Sequence, residues 1–226
     1  MNNDIKNVNN DIKNAYDQVA DHFNLTRKRA LPPQLIDFKR YLANGQQVLD
    51  LGCGSGRIIR ILKDFEMNCI FTDISEKQLN YARKEDQGKI KRSEFIVQDI
   101  LDSSFSENKF DVIFCVATFH HLKTKKDRIK FLKNVYSWLK PDGYFLMTNW
   151  NLMQKHYLKY IFNFKKKSWN DFLIPYKDNQ GNNIANRYYH SFTHRELNKL
   201  LFKAGFKIEK LELSENKNDL VSVCKK

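Results

Sequence analysis

Residues 48–56, VLDLGCGSG, limit what this chain can fold into more than any other stretch. Residues 47–51 are apolar apart from Gln47 and Asp50 and read as a strand. Residues 58–65 carry apolar side chains at helical spacing. Between them lie Gly52, Gly54 and Gly56. A strand that turns on glycines straight into a helix opens a βαβ unit, and this context gives a glycine turn its meaning. The same alternation continues downstream. Residues 68–73, 93–99, 109–118 and 143–150 read as strands. Residues 75–85 read as a helix capped by Ser75, and 125–140 as a helix ended by Pro141 and Gly143. Strands separated by helices imply a parallel sheet with helices on both faces. Right-handed crossovers then give a doubly wound, Rossmann-like α/β fold. After a helix at 193–204, with Thr193 and Glu196 as a capping box and Gly205 as its stop, residues 207–213 and 220–224 read as a closing hairpin. A hairpin is antiparallel, so one late strand runs against the sheet.

The ends of the first three strands carry the ligand chemistry. A dinucleotide turn, G-x-G-x-x-G, needs its third glycine at position 57, where this chain has Arg57. Asp50 stands beside the turn, where a carboxylate repels a pyrophosphate but suits an ammonium group. Asp73 ends the second strand and can accept from ribose hydroxyls. Asp99 ends the third and can accept from an adenine amino group. Any one of these aspartates alone reads as a helix cap or loop residue. Together with the turn they describe S-adenosylmethionine, with Ile74, Ile100 and Cys115 completing the expected cofactor-binding set.

Composition bounds the rest. A chain of 226 residues that is 42% hydrophobic supports one domain with an elaboration. No apolar run is long enough to cross a bilayer, and the polar N-terminus has no signal-peptide core. Cys53, Cys69, Cys115 and Cys224 are scattered without a C-x-x-C pair, which argues against zinc and against a disulfide framework. The expectation is a cytoplasmic protein with no membrane and no metal. A net charge of +13 attracts polyanions such as nucleic acid, yet the excess of Lys over Arg with abundant Asn and Ile is also what an AT-rich coding bias produces. Residues 1–44, which repeat NNDIKN, read as an N-terminal helical lead. The period breaks between 151 and 186, an inserted basic-aromatic segment. There Lys165, Lys166 and Lys167 suit phosphates, while the rings of 155–169 read either as core or as stacking platforms.

Two stretches bear on the acceptor. His120 and His121 follow the fourth strand, where the loop lies beside the reactive end of the cofactor; either can face the pocket, as a base or to position the acceptor. NRYYHSF, at 186–192, sets Arg187 beside Tyr188, Tyr189 and His190. If that run is extended, Arg187 and Tyr189 share one face and Tyr188 and His190 the other. Arg187 is the expected anion clamp, with Tyr188 or His190 nearby.

The glycine turn and the three aspartates resemble those of the class I S-adenosylmethionine-dependent methyltransferases, over about 45–224. The resemblance implies a seven-stranded sheet with its last strand antiparallel, and a methyltransferase domain over 45–226. Residues 16–38 and 186–206 further resemble the eukaryotic tRNA wobble-uridine methyltransferases, which esterify the carboxylate of 5-carboxymethyluridine. Tyr16, Ala20, Phe23, Thr26, Arg27 and Phe38 match one family stretch, and the run from Arg187 to His190 matches another. Leu31-Pro32-Pro33 departs from the family's Trp-Pro. The resemblance implies tRNA as substrate and a small zinc-binding activator subunit. It also implies catalytic residues among His120, His121, Arg187, Tyr188 and His190, and substrate contacts from Arg27, Lys165, Lys166, Lys167 and Arg187. A small-molecule methyltransferase and a non-catalytic protein that binds RNA or a partner are the alternatives.

Overall fold

The strands expected between 47 and 150 all form and all join one sheet. The computed structural model describes residues 16, 17, 20, 30–160, 170–177 and 180–226. Its strands are Gln47–Leu51 (β1), Asn68–Asp73 (β2), Arg92–Val97 (β3), Phe110–Val116 (β4), Leu139–Trp150 (β5), Asp171–Lys177 (β6), Asn183–His190 (β7), Lys207–Leu213 (β8) and Asp219–Lys225 (β9). Seven of them form one sheet in the order β3-β2-β1-β4-β5-β9-β8. β1 to β5 pair in parallel, and β9 is antiparallel to both of its neighbours, so β9 alone is reversed. The α-helices are Pro33–Ile36 (α1), Ile59–Leu62 (α2), Glu76–Asp86 (α3), Lys125–Trp138 (α4) and His194–Ala204 (α5).

The period of two along each strand divides the interior into two cores. Leu49 and Leu51 of β1 face a cluster built on α4 and α5, with Phe131, Leu132, Leu197 and Leu201. Val48 faces the other cluster, with Leu35, Phe38, Ile59 and Leu79. Side chains start the helices. Ser75 accepts from the Gln78 amide, Thr124 from the Asp127 amide and Thr193 from the Glu196 amide. Gly205, at φ +106°, ends α5.

Four local readings change. α4 stops at Trp138, before Pro141, because Leu139 already pairs with Phe110. Pro141 and Gly143 lie within β5, where the register jumps from Leu139–Phe110 to Tyr144–Val112; the slack accommodates a proline that has no N–H to give. The helix expected over 58–65 is only one turn, Ile59–Leu62. The capping box is half made: Glu196 supplies its amide to Thr193, but its carboxylate turns to His190 instead of reaching back. The segment without a clear period contains a 3-10 helix, Lys155–Tyr160, then β6 and the start of β7, which form their own antiparallel sheet. Tyr157 and Tyr160 pack against a small third core of Leu152, Phe172, Ile174 and Tyr189, while Lys155 and Lys159 are exposed. The NNDIKN repeats, Arg27, and Lys165, Lys166 and Lys167 lie outside the described residues.

Candidate active site

The carboxyl ends of β1, β2, β4 and β5 meet at one edge, and buried polar side chains collect there. The glycine turn is held down from two sides. The amides of Gly52 and Cys53 donate to the Thr72 carbonyl, and the Thr118 hydroxyl donates to the Gly52 carbonyl at 3.1 Å. A Cβ on Gly52 would lie 2.3 Å from the Thr118 methyl, on a backbone with φ +72°, so only glycine fits. Gly54 faces the opposite condition, because a Cβ there meets nothing within 4 Å. Its amide donates to Asp73 Oδ2 at 2.9 Å, and the Ser75 amide donates to Oδ1 at 2.9 Å. Two backbone donors therefore fix the Asp73 carboxylate and leave each oxygen one more lone pair. Burial raises its pKa to about 6, against those donors.

Asp50 is 1% exposed, and neither of its oxygens has a hydrogen-bond partner among the described residues. Burial, then the charge of Asp73, pushes its pKa up to about 8. A buried carboxylate without a donor is costly unless a cation meets it. Together with the open space over Gly54, this fits a ligand whose ammonium group lies at Asp50. Asp99 accepts from the Leu101 amide at 2.9 Å, and burial raises its pKa. Ile74 is half-buried and Ile100 buried. Cys115 is wholly buried in the α4–α5 core and pairs across the sheet with Met147.

Beyond the turn the two histidines differ sharply. His121 is held at both nitrogens. Nδ1 lies 2.8 Å from the Tyr188 carbonyl and Nε2 lies 2.8 Å from the Tyr16 hydroxyl. A carbonyl only accepts, so Nδ1 carries the proton and Nε2 accepts from Tyr16. His120 Nδ1 accepts from the Trp150 amide at 3.1 Å, which puts its proton on Nε2, and Nε2 has no partner among the described residues. Burial lowers both pKa values, that of His121 to about 4, so both rings are neutral at pH 7.

Arg187 stands over these rings. Its guanidinium carbon lies 4.7 Å from the centroid of Tyr176, 5.4 Å from Tyr189, 5.9 Å from Trp150 and 6.0 Å from Tyr16. The side chain is 6% exposed, its Nε has no hydrogen-bond partner, and no carboxylate pairs with it among the described residues. The run is extended, as its alternation requires: the ring beside Arg187 is Tyr189. Tyr188 and His190 turn the other way. His190 Nδ1 meets Asp171 at 2.7 Å and Nε2 meets Glu196 at 2.9 Å. The Tyr188 hydroxyl donates to Asp171 at 2.6 Å, and Arg128 reaches Glu196 at 3.6 Å. Burial alone would lower the His190 pKa, but hydrogen bonds to the two acids raise it instead. His190 and Arg128, with Asp171 and Glu196, thus bind the root of the β6–β7 hairpin to α4 and α5.

Sequence reasoning did not find Trp150, Tyr176 or the group formed by Asp171, Glu196 and Arg128. Trp150 was within reach, because it ends β5 as Asp73 ends β2. Tyr176 was not, since Pro175 beside it argues against a strand. Among the described residues no cluster of three metal-ligand side chains occurs, and no helix is long and apolar enough to cross a membrane.

Comparison with known proteins agrees with this geometry. Residues 49–147 match the family described as methyltransferase domain. The chain is 31% identical over 166 residues to a tRNA (carboxymethyluridine(34)-5-O)-methyltransferase of Xenopus tropicalis, covering 74% of this chain and 24% of that protein. It is 32% identical over 110 residues to phosphoethanolamine N-methyltransferase 3 of Arabidopsis thaliana, covering 48% of this chain and 22% of that protein. The chain therefore spans about a quarter of the length of these curated relatives. A SAM-dependent methyltransferase structure from Methanosarcina mazei superposes with a TM-score of 0.73 at 24% identity, covering 88% of this chain and 99% of that one. The turn at Gly52, Asp50 near the end of β1 and Asp73 at the end of β2 thus lie within a segment similar to the methyltransferase domain, on a sheet that shares the fold of the Methanosarcina mazei structure.

Proposed function

We propose that this chain esterifies a carboxylate on tRNA, that of a 5-carboxymethyl-type wobble uridine, with the methyl group of S-adenosylmethionine. The observation that carries this reading is Arg187: a buried guanidinium at the acceptor end of the site with no acid of its own among the described residues. A buried cation calls for an anion, and a guanidinium matches a carboxylate in shape and charge. The relative that acts on carboxymethyluridine in tRNA supports the same class, as does the excess of basic residues. The phosphoethanolamine relative keeps a small-molecule acceptor as the second reading.

When bound, S-adenosylmethionine supplies an electrophilic methyl group on a sulfonium. Asp50 would hold its ammonium, Asp73 its ribose and Asp99 its adenine. Arg187 would orient the acceptor so that one carboxylate oxygen attacks in line. One C–O bond forms and one S–C bond breaks. The acceptor is already ionised at neutral pH and no proton leaves, so no general base is required. Two neutral, low-pKa histidines accord with that chemistry. Arg27 and Lys165, Lys166 and Lys167 are proposed to hold the RNA backbone, and an activator subunit remains part of the proposal by resemblance.

Labelled cofactor and undermodified bulk tRNA test it. The expected product loses its label as methanol in mild alkali. Label that survives alkali would remove the carboxylate, and no labelled tRNA would remove the substrate. Arg187→Ala is expected to lower transfer at least 100-fold while cofactor affinity stays within twofold. Equal loss of both would make the arginine structural.

A further inference from the structure

We infer that His120 is the second arm of the acceptor's carboxylate seat: a neutral Nε2–H donor that works with Arg187 and is shut from solvent by Tyr16. The inference rests on the carboxylate reading above and assigns the two histidines different roles. Arg187 Nε and His120 Nε2 are buried donors on this edge that lack partners among the described residues, as does the Asn149 amide beside Trp150. Arg187 and His120 both stand against the same two rings. The His120 ring centroid lies 5.0 Å from that of Tyr189 and 5.8 Å from that of Trp150, the rings that Arg187 also contacts. The tautomer of His120 is not free to change, because the Trp150 amide occupies Nδ1. That amide belongs to the end of a sheet strand, so the donor direction is set by the backbone. An imidazole that must present N–H and cannot readily be protonated is a poor base and a good neutral donor.

His121 has no such spare atom. It joins Tyr16 of the N-terminal segment to the Tyr188 carbonyl of β7, the residue next to Arg187. Tyr16 in turn lies over the guanidinium and edge-on to His121. Tyr16 is therefore the cover of the seat and His121 its latch. A cation and a neutral donor together favour a carboxylate over the matching amide, whose NH2 group would be set against a donor and whose neutral oxygen would not answer the charge.

The test uses the full chain with S-adenosylhomocysteine bound and the nucleosides 5-carboxymethyluridine and 5-carbamoylmethyluridine as probes. Histidine side-chain nitrogen spectra are expected to show His120 protonated at Nε2 and unprotonated at Nδ1. The carboxymethyl nucleoside should shift that Nε2 signal, saturably, and bind at least tenfold more tightly than the amide. His120→Phe, which keeps a ring without the donor, should lower the preference to about threefold or less while S-adenosylhomocysteine affinity stays within twofold. A His120 ring protonated at Nδ1, an Nε2 signal indifferent to the carboxymethyl nucleoside, or an unchanged preference in folded His120→Phe would overturn the inference. If His120→Phe loses cofactor binding, the two wild-type spectra decide alone. Failure of the tRNA assay with this preference intact would overturn the tRNA reading and leave the seat standing. An alkali-labile tRNA product without the preference would do the reverse.

Discussion

At the scale of single residues, this molecule is defined by buried polar groups that its own chain leaves unanswered. Asp50, His120 and Arg187 are all under 9% exposed, and each has an atom without a partner among the described residues. Asp50 gives the sharpest consequence. Its folded-state pKa of about 8 lies far above the ordinary carboxylate value, so burial stabilises its protonated form. That contribution is complete at low pH and is lost as pH rises through about 8, where the free protein must hold a buried anion. In the proposed binding mode the cofactor's ammonium needs the same anion. Binding measured by calorimetry should therefore weaken below pH 8, by up to about tenfold per pH unit. Asp50→Asn should weaken binding at pH 9 by about 10–100-fold, flatten its dependence between pH 7 and 9, and raise the melting temperature of the free protein at pH 9. The rise should be roughly 2–4 °C for each kcal/mol relieved. A variant with unchanged affinity across that range would show that Asp50 does not meet the ammonium. Asp50, Asp73 and the turn were legible in the sequence because a strand end announces itself. That Arg187 has no acid beside it among the described residues was not legible, because a missing counter-charge is a property of the packed structure.

At the scale of elements, the β6–β7 hairpin is where local pattern and structure parted. Its strands contain Pro175 and are separated by polar residues, so no period of two stands out. What fixes the hairpin is its root, where His190 lies between Asp171 and Glu196 while Arg128 and Tyr188 complete the network. Thr193 and Glu196 did announce the start of α5. The direction of the Glu196 carboxylate did not show, since its partner stands on a strand that the pattern had hidden. The folded-state pKa of His190 lies above its unfolded value. The contribution of the imidazolium is therefore fully present below about pH 6.5 and is lost as pH rises through the raised value. Urea unfolding of the wild type should show that fall in stability on going from pH 6 to pH 9. His190→Gln should cost about 1.5–3 kcal/mol at pH 6, the range for hydrogen bonds to charged groups, and distinctly less at pH 9. A cost independent of pH would mean that the ring is neutral and serves only as packing.

At the scale of the whole molecule, the division of labour follows the sheet. The order β3-β2-β1-β4-β5-β9-β8 leaves the glycine turn and its aspartates on one half and puts the residues proposed to hold the acceptor where β4 and β5 end. The alternation of strands and helices made the doubly wound sheet readable in the sequence, and the closing hairpin made the one reversed strand readable with it. The proposed acceptor side is instead built from an excursion between β5 and α5, and the excursion returns to its starting point. The Leu152 amide donates to the Ser191 hydroxyl at 3.1 Å. Because these two ends already meet, removing residues 153–190 and joining 152 to 191 through two or three glycines asks little of the sheet. β5 keeps its pairing with β4 and β9, and Arg128 keeps Glu196. The loss falls on the third core, Phe172, Ile174 and Tyr189, which is removed almost entire and leaves Trp150 and Leu152 exposed. The shortened chain is expected to unfold cooperatively, a few kcal/mol less stable, and to bind S-adenosylhomocysteine within about fivefold of the wild type. It should transfer no methyl group to tRNA and show no preference between the two nucleosides. Loss of cofactor binding in a folded, monomeric sample would show that the excursion shapes the cofactor crevice as well, and that the two halves of the site are one unit.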